Sequence, residues 1–352
     1  MLMELDADVI GKDEVILVTG ATGFLGPTVV RTLLDRGFRR VRCLTRTAGR
    51  ETRLPDVDGA GHRVEVFRGN LLSRDDCVAA TRDAAVILHL AAARGEKSFP
   101  DAFLNSVVTT RNLLDASLRH RCLRRFVNVS SLTVYSNARG WRVPLDESCP
   151  VERQPARRSD PYCFAKVKQD EIVTEYGRRF GVPYVIVRPG YVYGRGNEAI
   201  TGRVGIGTFG VFLHLGGTNT IPFTYVDNCA DAIVLAGITG GIDGEVFNVV
   251  DDDLPSSRRF LRLYKRAVRR FASIYVPHAL SYAACDLWER YADWSEGQLP
   301  PVFNRQAWRT YWKRTRYSND KVKLRLGWMP RVSTAEGLRR YFESCREKLQ
   351  HA

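Results

Sequence analysis

Short β-branched runs alternate with amphipathic helical stretches through the first two-thirds of this chain, the pattern of a parallel sheet wound by crossover helices. Strands are predicted near Glu14 to Thr19, Val41 to Arg46, Arg63 to Phe67, Ala85 to His89, Arg125 to Val129 and Tyr184 to Arg188. Helices fill the gaps: Leu25 to Asp35 places Val29, Val30, Leu33 and Leu34 on one face, and Asp101 to Leu118 places Phe103, Val107, Leu113 and Leu114 similarly. The expected class is therefore α/β, a doubly wound parallel sheet. After Gly190 the alternation decays into Gly-rich loops, a short strand near Ile221 to Phe223, a helix from Val226 to Ala236 and a strand at Glu245 to Val250. From Ser256 onward the pattern is helical and rich in aromatic and basic residues, with Trp288, Trp294, Trp308, Trp312 and Trp328 close together. No internal repeat interrupts this order.

Composition narrows the class without choosing a function. With 352 residues, 44% of them hydrophobic, the chain can bury a full core. The longest apolar run, Ala84 to Ala93, is broken by His89 and falls far short of the roughly 20 residues of a membrane-spanning helix. Met1 to Asp13 is acidic and lacks a presequence pattern, so a cytoplasmic protein is expected. The eight cysteines are scattered with no CxxC pair, which argues against a disulfide framework and against a zinc site. A net charge of +14 admits an anionic substrate, an anionic lipid or nucleic acid as partner. Basic residues crowd Arg258 to Arg270, with Arg258, Arg262, Arg266 and Arg269 partly aligned on one helical face; the ordinary reading of such a run is a solvated surface. No nucleic-acid reading motif accompanies it, so nucleic acid is not an expected partner.

The chemistry begins where the first strand runs into Gly20, Ala21, Thr22, Gly23, Phe24, Leu25 and Gly26, after which a helix starts. A glycine-rich turn there lets the backbone approach a pyrophosphate, whose charge meets free amides and the positive helix end. The flanking apolar strand and amphipathic helix separate this from a mere tight turn. Residues 1–190 are thus expected to form a Rossmann-type dinucleotide-binding domain and residues 191–352 a smaller, mostly helical substrate lobe, with 226–250 a candidate to return to the sheet. An acid about 20 residues after the glycines would select NAD by binding the ribose. Arg46 stands there instead, and a guanidinium pairs with a 2′-phosphate in a fork, which makes NADP the preferred cofactor and NAD the alternative. Asn70 and Leu71 follow a strand end where an amide would read an adenine edge.

Tyr162 and Lys166 lie one helical turn apart in a helix placed at Asp160 to Arg179. A secondary alcohol surrenders hydride only as its hydroxyl proton leaves, so a base must sit within hydrogen-bond reach of that oxygen. Tyrosine, with a reference pKa of about 10, is a poor base near neutrality, but a neighbouring ammonium favours the tyrosinate.

In their order these motifs resemble the extended short-chain dehydrogenase/reductases, the NAD-dependent epimerase/dehydratase family. The likeness runs over nearly the whole chain: Gly20 to Gly26, His89 to Ala93, Asn105, Ser130 and Ser131 ahead of Val134 and Tyr135, Tyr162 to Lys166, and Arg188 to Gly194. It implies that Ser131 binds the reacting oxygen, with Ser130 and Thr133 as nearby alternatives and simple chain capping as the bland reading. Asn105 resembles the family's asparagine that supports a bound water and the lysine; otherwise it faces solvent. Leu90, Ala91 and Ala92, and Pro189, Gly190 and Val192, are implied cofactor contacts. Tyr225, Val226 and Asp227 resemble the segment that returns to the substrate lobe, although Asp227 reads equally as a helix cap. His89 reads as a packed strand-end residue. The stretch between Ser131 and Tyr162 is long for the family.

Two reaction classes share this machinery. The tail from Ser256 through Pro330, with Tyr317 to Lys321 and then Leu326, Gly327 and Trp328, looks more like the ketoreductase and sterol-dehydrogenase branch, which acts on apolar ketones and alcohols. The alternative is a nucleotide-sugar epimerase or dehydratase that retains its NAD(P), for which the basic segment would greet a diphosphate. A third reading is a non-catalytic cofactor-binding scaffold. A homodimer is the expected assembly. For Pro277 to Trp294, core packing is preferred over peripheral membrane contact.

Overall fold

Four apolar residues and a buried threonine, Val15–Thr19, form an interior strand (β1) of a seven-stranded parallel sheet. The computed structural model describes residues 8–47, 49–55, 63–92, 98–137, 140, 142–208, 210–295, 298 and 303–350. The expectation for the N-terminal segment therefore falls largely outside the described residues, as does Ala93. From β1 the sheet grows outward on one side through β2 (Arg40–Thr45) and β3 (Arg63–Arg68). On the other side it continues through β4 (Ala84–His89), β5 (Arg125–Val129) and β6 (Tyr184–Pro189). This is the strand order of the doubly wound dinucleotide folds, in which ligands gather where the order reverses, beyond the carboxyl ends of the strands.

The strands read as continuous apolar runs because helices cover both faces. Alternate side chains serve opposite layers: Ile16 and Val18 pack with α1 (Gly26–Asp35), whereas Val15 and Leu17 join a second cluster. That second cluster holds Cys77 and Ala80 of α2 (Arg74–Ala80), a helix without a clear signal in the sequence, started by Ser73 accepting from the Asp76 amide. The helix expected at Asp101 to Leu118 is divided. It comprises α3 (Phe99–Ala102), a wider π-type turn over Phe103–Val108, and α4 (Thr109–His120). The predicted Tyr/Lys helix is α5 (Pro161–Phe180), capped by Asp160 accepting from the Cys163 amide.

Beyond Gly190 the chain leaves the sheet. β7 (Tyr191–Tyr193) opens the lobe, and β8 (Gly205–Thr208) and β9 (Val211–His214) make an antiparallel hairpin. β10 (Phe223–Tyr225) pairs with β7 and leads into α6 (Val226–Ile238), which packs on the sheet beside α1. β11 (Val246–Val249) then adds the seventh strand, next to β6. The remainder belongs mainly to the lobe: α7 (Ser257–Ala267), β12 (Ser273–Tyr275) on the edge of the β9 hairpin, α8 (His278–Trp294), α9 (Arg305–Tyr311), α10 (Asp320–Leu326) and α11 (Thr334–Gln350). An aromatic core of Tyr193, Phe223, Phe260, Tyr264, Tyr341 and Phe342 holds it together.

Core packing holds only in part for the large residues of Pro277 to Trp294: Tyr282 and Trp288 are half-buried against Trp308 and Phe303. Only Ser281, Cys285 and Ala292 of α8 are buried, and Leu280, Leu287, Tyr291 and Trp294 face outward. Small residues form the seam because they let the helix lie close to its support.

Trp328 ties the lobe's last segment back to the sheet. Fully buried, it packs among Val322, Leu326 and the α6 residues, and its indole donates to the Asn228 carbonyl at 3.0 Å. Asn228 in turn accepts from the Val332 amide and donates to Asp251. Trp328→Ala should lower unfolding free energy by about 3–5 kcal/mol in a denaturant titration, whereas Trp328→Phe should cost less because most of the packing survives. Equal losses for the two variants would mean that packing is not what Trp328 contributes.

Candidate active site

The glycine turn is built to bring backbone close to a ligand. Gly20 has φ +69°, a conformation that side chains rarely adopt, and a Cβ there would lie 2.9 Å from the Ala91 amide nitrogen. The turn thus packs directly on the Leu90–Ala91 loop, so two of the expected cofactor-contacting segments meet. Gly26 is tighter still: its Cβ would stand 2.2 Å from the Ala21 carbonyl oxygen. No side chain caps the N-terminus of α1, which leaves its first amides to an anion. Phe24 and Leu25 lean on the lobe's aromatic cluster, placing the turn at the junction of sheet and lobe. These features fit a dinucleotide.

Around the turn, the expected contacts differ in what they have to offer. Arg46 is exposed beyond β2, and the nearby Arg53, which no motif marks, reaches the Thr22 carbonyl at 3.4 Å. Arg53 carries no spacing signal; a short helical turn at Glu51–Arg53 folds it back onto the glycines. Asn70 is exposed, its side-chain oxygen accepting from the Leu72 amide, while the Leu71 side chain is core. The Ala91 amide donates to Thr19 Oγ1, and Ala92 is partly exposed beside it. After β6, Gly190 approaches the Pro222 carbonyl so closely that its Cβ would lie 2.0 Å away, and its amide already donates to the Val249 carbonyl. Pro189 has no amide to give, and the Val192 carbonyl accepts from Asn197.

Tyr162 and Lys166 are brought together on α5. Lys166 is buried, and its ammonium donates to the Val129 carbonyl at 2.7 Å, so the side chain is pinned to the carboxyl end of β5. Its nitrogen lies 5.9 Å from the centre of the Tyr162 ring, and Tyr162 is 36% exposed. Burial lowers the Lys166 pKa to about 8, with Asp170 pulling it back up. At neutral pH the side chain is still an ammonium.

The long excursion between Ser131 and Tyr162 folds away from the site. Tyr135 bridges to Val151 and Leu145 to Tyr317, and Arg158 then returns to bond the Thr133 and Tyr135 carbonyls. Cys163, next to Tyr162, donates to the same Thr133 carbonyl at 3.2 Å. The serine segment and the tyrosine therefore adjoin despite their separation in sequence.

Of the hydroxyl candidates, Ser130 is committed: it donates to Asp170 at 3.0 Å. Ser131 accepts from the Thr133 amide at 3.3 Å, and its proton has no acceptor among the described residues. The buried Thr133 hydroxyl has no hydrogen-bond partner among the described residues. Asn105 lies in the π-type turn with its amide donating to the Asp101 carbonyl one turn back, partly exposed. Asp227 does not cap α6; Tyr225 occupies that position, and Asp227 sits in the first turn, where a carboxylate favours the helix dipole.

Two buried sets of bonds lie behind these groups. Asp170 accepts from Asn128, Ser130 and Arg188, joining α5 to β5 and β6. His89 is the packed strand-end residue expected, bonded through Nδ1 to Thr19 at 2.7 Å and through Nε2 to Thr110 at 2.9 Å. Thr110 spends its own proton on the Ser106 carbonyl and also accepts from Gln169, so His89 Nε2 is the donor and Nδ1 the acceptor. Burial, then the nearby Lys166 charge, drive the His89 pKa down to about 3.

Comparison with known proteins agrees with this architecture. The chain is 30% identical over 189 residues to cinnamoyl-CoA reductase 1 of Oryza sativa subsp. japonica, a match spanning 52% of this chain and 55% of that one. It is 28% identical over 350 residues to UDP-glucose 4-epimerase of Mycolicibacterium smegmatis, covering 95% of this chain and 99% of the epimerase. Among solved structures, the UDP-glucuronic acid 4-epimerase of Bacillus cereus, in complex with UDP-glucuronic acid and NAD, superposes with a TM-score of 0.70 at 22% identity, covering 95% and 99% of the two chains. The sequence profile of the NAD dependent epimerase/dehydratase family matches residues 16–249, and the chain belongs to that family.

Proposed function

We propose that this chain is an NAD(P)-dependent oxidoreductase interconverting a secondary alcohol and a ketone, with NADP preferred and an apolar substrate. What carries the reading is the convergence of a partly exposed phenol, a buried ammonium and a serine proton without an acceptor at the carboxyl end of β5. Tyr162 takes the proton of the substrate hydroxyl, and Ser131 donates to the same oxygen as its charge develops. Lys166 favours the tyrosinate by its charge. When bound, the nicotinamide supplies or accepts the hydride. Residues 1–190 would hold the dinucleotide and 191–352 the substrate, apart from 226–250, which serves the sheet.

The NADP preference rests on Arg46 and Arg53 beside the glycine turn, where no carboxylate occupies the ribose-selecting position. A second reading, a nucleotide-sugar epimerase with retained cofactor, is supported by the likeness to the UDP-glucose epimerase along both whole chains. Offering the purified protein NADP and NAD with alcohols, ketones and nucleotide sugars separates the two. Net production or consumption of reduced cofactor supports the oxidoreductase. Sugar conversion without net cofactor change supports the epimerase, and bound cofactor without turnover supports a scaffold.

Tyr162→Phe should abolish turnover while leaving cofactor affinity nearly intact; rates like those of the wild type would remove Tyr162 from the mechanism. Arg46→Asp and Arg53→Ala should each shift the NADP-to-NAD ratio of kcat/KM by about 10-fold or more toward NAD, the worth of a charged hydrogen bond. An unmoved ratio in both would show that neither meets the phosphate.

Lys166 also predicts a pH dependence in the cofactor-free protein. Its pKa is lower folded, about 8, than its ordinary 10.5, so the unfolded chain binds more protons between those values and stability from this group rises with pH across that window. Relative to Lys166→Met, the wild type should therefore gain about 3 kcal/mol between pH 7 and pH 10.5 in denaturant titrations. A difference that stays constant across the window would mean Lys166 is not buried as an ammonium.

A further inference from the structure

Beyond the active site, the most unusual surface is on the lobe. Leu280, Leu287, Tyr291 and Trp294 of α8 are 59, 69, 48 and 75% exposed. At 100° per residue they fall within roughly 60° of the helix circumference, a stripe about 21 Å long. Tyr291 and Trp294 stack at 5.6 Å, so the aromatic end of the stripe is a single ordered patch. The edge strand β12, which leads into α8, also exposes Ile274 and Tyr275. Apolar exposure this contiguous is uncommon on a surface that faces only water.

The basic segment lies against the same strand. The Arg258 guanidinium sits over the Tyr275 ring at 5.2 Å, and Lys265 donates to Ser273, so α7 runs alongside β12. None of the seven Lys and Arg residues from Arg258 to Arg270 pairs with a carboxylate among the described residues. The contrast with α11 is direct, since Arg339 and Arg340 there are paired with Glu336 and Glu343. Cations unpaired along the strand that leads into a helix with a Leu, Tyr and Trp stripe match what an anionic lipid interface recognises: phosphates meet the cations while the aromatic and aliphatic side chains enter the headgroup boundary.

We propose that α7, β12 and α8 form a docking face for an anionic phospholipid surface, with Leu280, Leu287, Tyr291 and Trp294 entering the interface and Arg262, Arg266 and Arg269 meeting headgroup phosphates. The attachment is peripheral, since among the described residues no helix is long and apolar enough to cross a membrane. A second copy is a poorer occupant, because a twofold contact would set the basic ridge against its own image. Nucleic acid would have no use for the apolar stripe.

The test is co-sedimentation of the full chain with phosphatidylcholine vesicles, with and without phosphatidylglycerol, at low and high salt. The protein should bind the anionic vesicles, release from them in high salt, and leave pure phosphatidylcholine unbound. Leu287→Asp with Trp294→Asp, and separately Arg262→Glu with Arg266→Glu and Arg269→Glu, should each weaken binding by about 10-fold or more. Unchanged thermal unfolding and cofactor affinity establish that each variant is folded; the charge-reversal set touches only exposed side chains and keeps the test open if the apolar pair misfolds. Absence of binding to anionic vesicles overturns the proposal, as does binding that both variant sets leave intact. Sedimentation equilibrium adds a third arm: a dimer that Leu287→Asp with Trp294→Asp dissociates, without vesicle binding by the wild type, would assign the face to a second copy instead.

Discussion

The carboxylate of Asp170 organises the ground on which the site stands. One turn beyond Lys166 on α5 and fully enclosed, it accepts from the Asn128 amide, the Ser130 hydroxyl and two nitrogens of Arg188. Burial pushes its pKa above the ordinary carboxylate value, and Arg188 and Ser130 counter that push. A charge in this position is tolerable only because its lone pairs are occupied, and removing one partner of such a buried pair typically costs 3–5 kcal/mol. Its bonds lock α5 against the ends of β5 and β6, and that lock sets where Tyr162 and Lys166 sit relative to Ser131. Asp170 thus acts as a positioning residue.

The electrostatics around Lys166 follow the same logic. Burial disfavours the imidazolium of His89, and the nearby Lys166 ammonium adds repulsion, so His89 stays neutral between two threonine hydroxyls. Its hydrogen bonds are fixed by Thr110, whose proton is spent on the π-type turn at Ser106. The turn, α4, α5 and the ends of β1 and β4 are therefore coupled through neutral groups, and Lys166 keeps the local positive charge.

The sheet was legible because strands buried on both faces read as mostly apolar runs, and the short runs at Val15–Thr19 and Ala84–His89 admit little else. The glycine turn and the Tyr162/Lys166 spacing were legible because each follows from geometry local to a few residues. Residues that act through distant contacts were not. Arg53 reaches Thr22 from a separate loop, and Gln169 and Arg188 acquire meaning only from partners on other elements. The π-type turn at Phe103–Val108 carries no periodicity of its own, so it reads as part of one helix. The outward face of α8 was misjudged for a related reason: large apolar residues at helical spacing normally mark the buried side, and nothing local records that Ser281, Cys285 and Ala292 form the seam instead.

Charge illustrates the difference between a sum and an arrangement. The net value of +14 could not choose among partners, because it counts Arg339, matched by Glu336 and Glu343 on its own helix, together with Arg262, which has no such match. What separates them is already present in spacing: α11 carries acids three and four residues from its arginines, whereas the segment from Arg258 to Arg270 carries none. Coordinates add the second half, namely that the unmatched cations lie along an edge strand that leads into a helix with Leu287 and Trp294 turned outward. Neither half alone distinguishes a solvated helix from a recognition surface. Together they define a ligand that is both anionic and apolar, and a lipid headgroup layer has that combination over an area large enough to match.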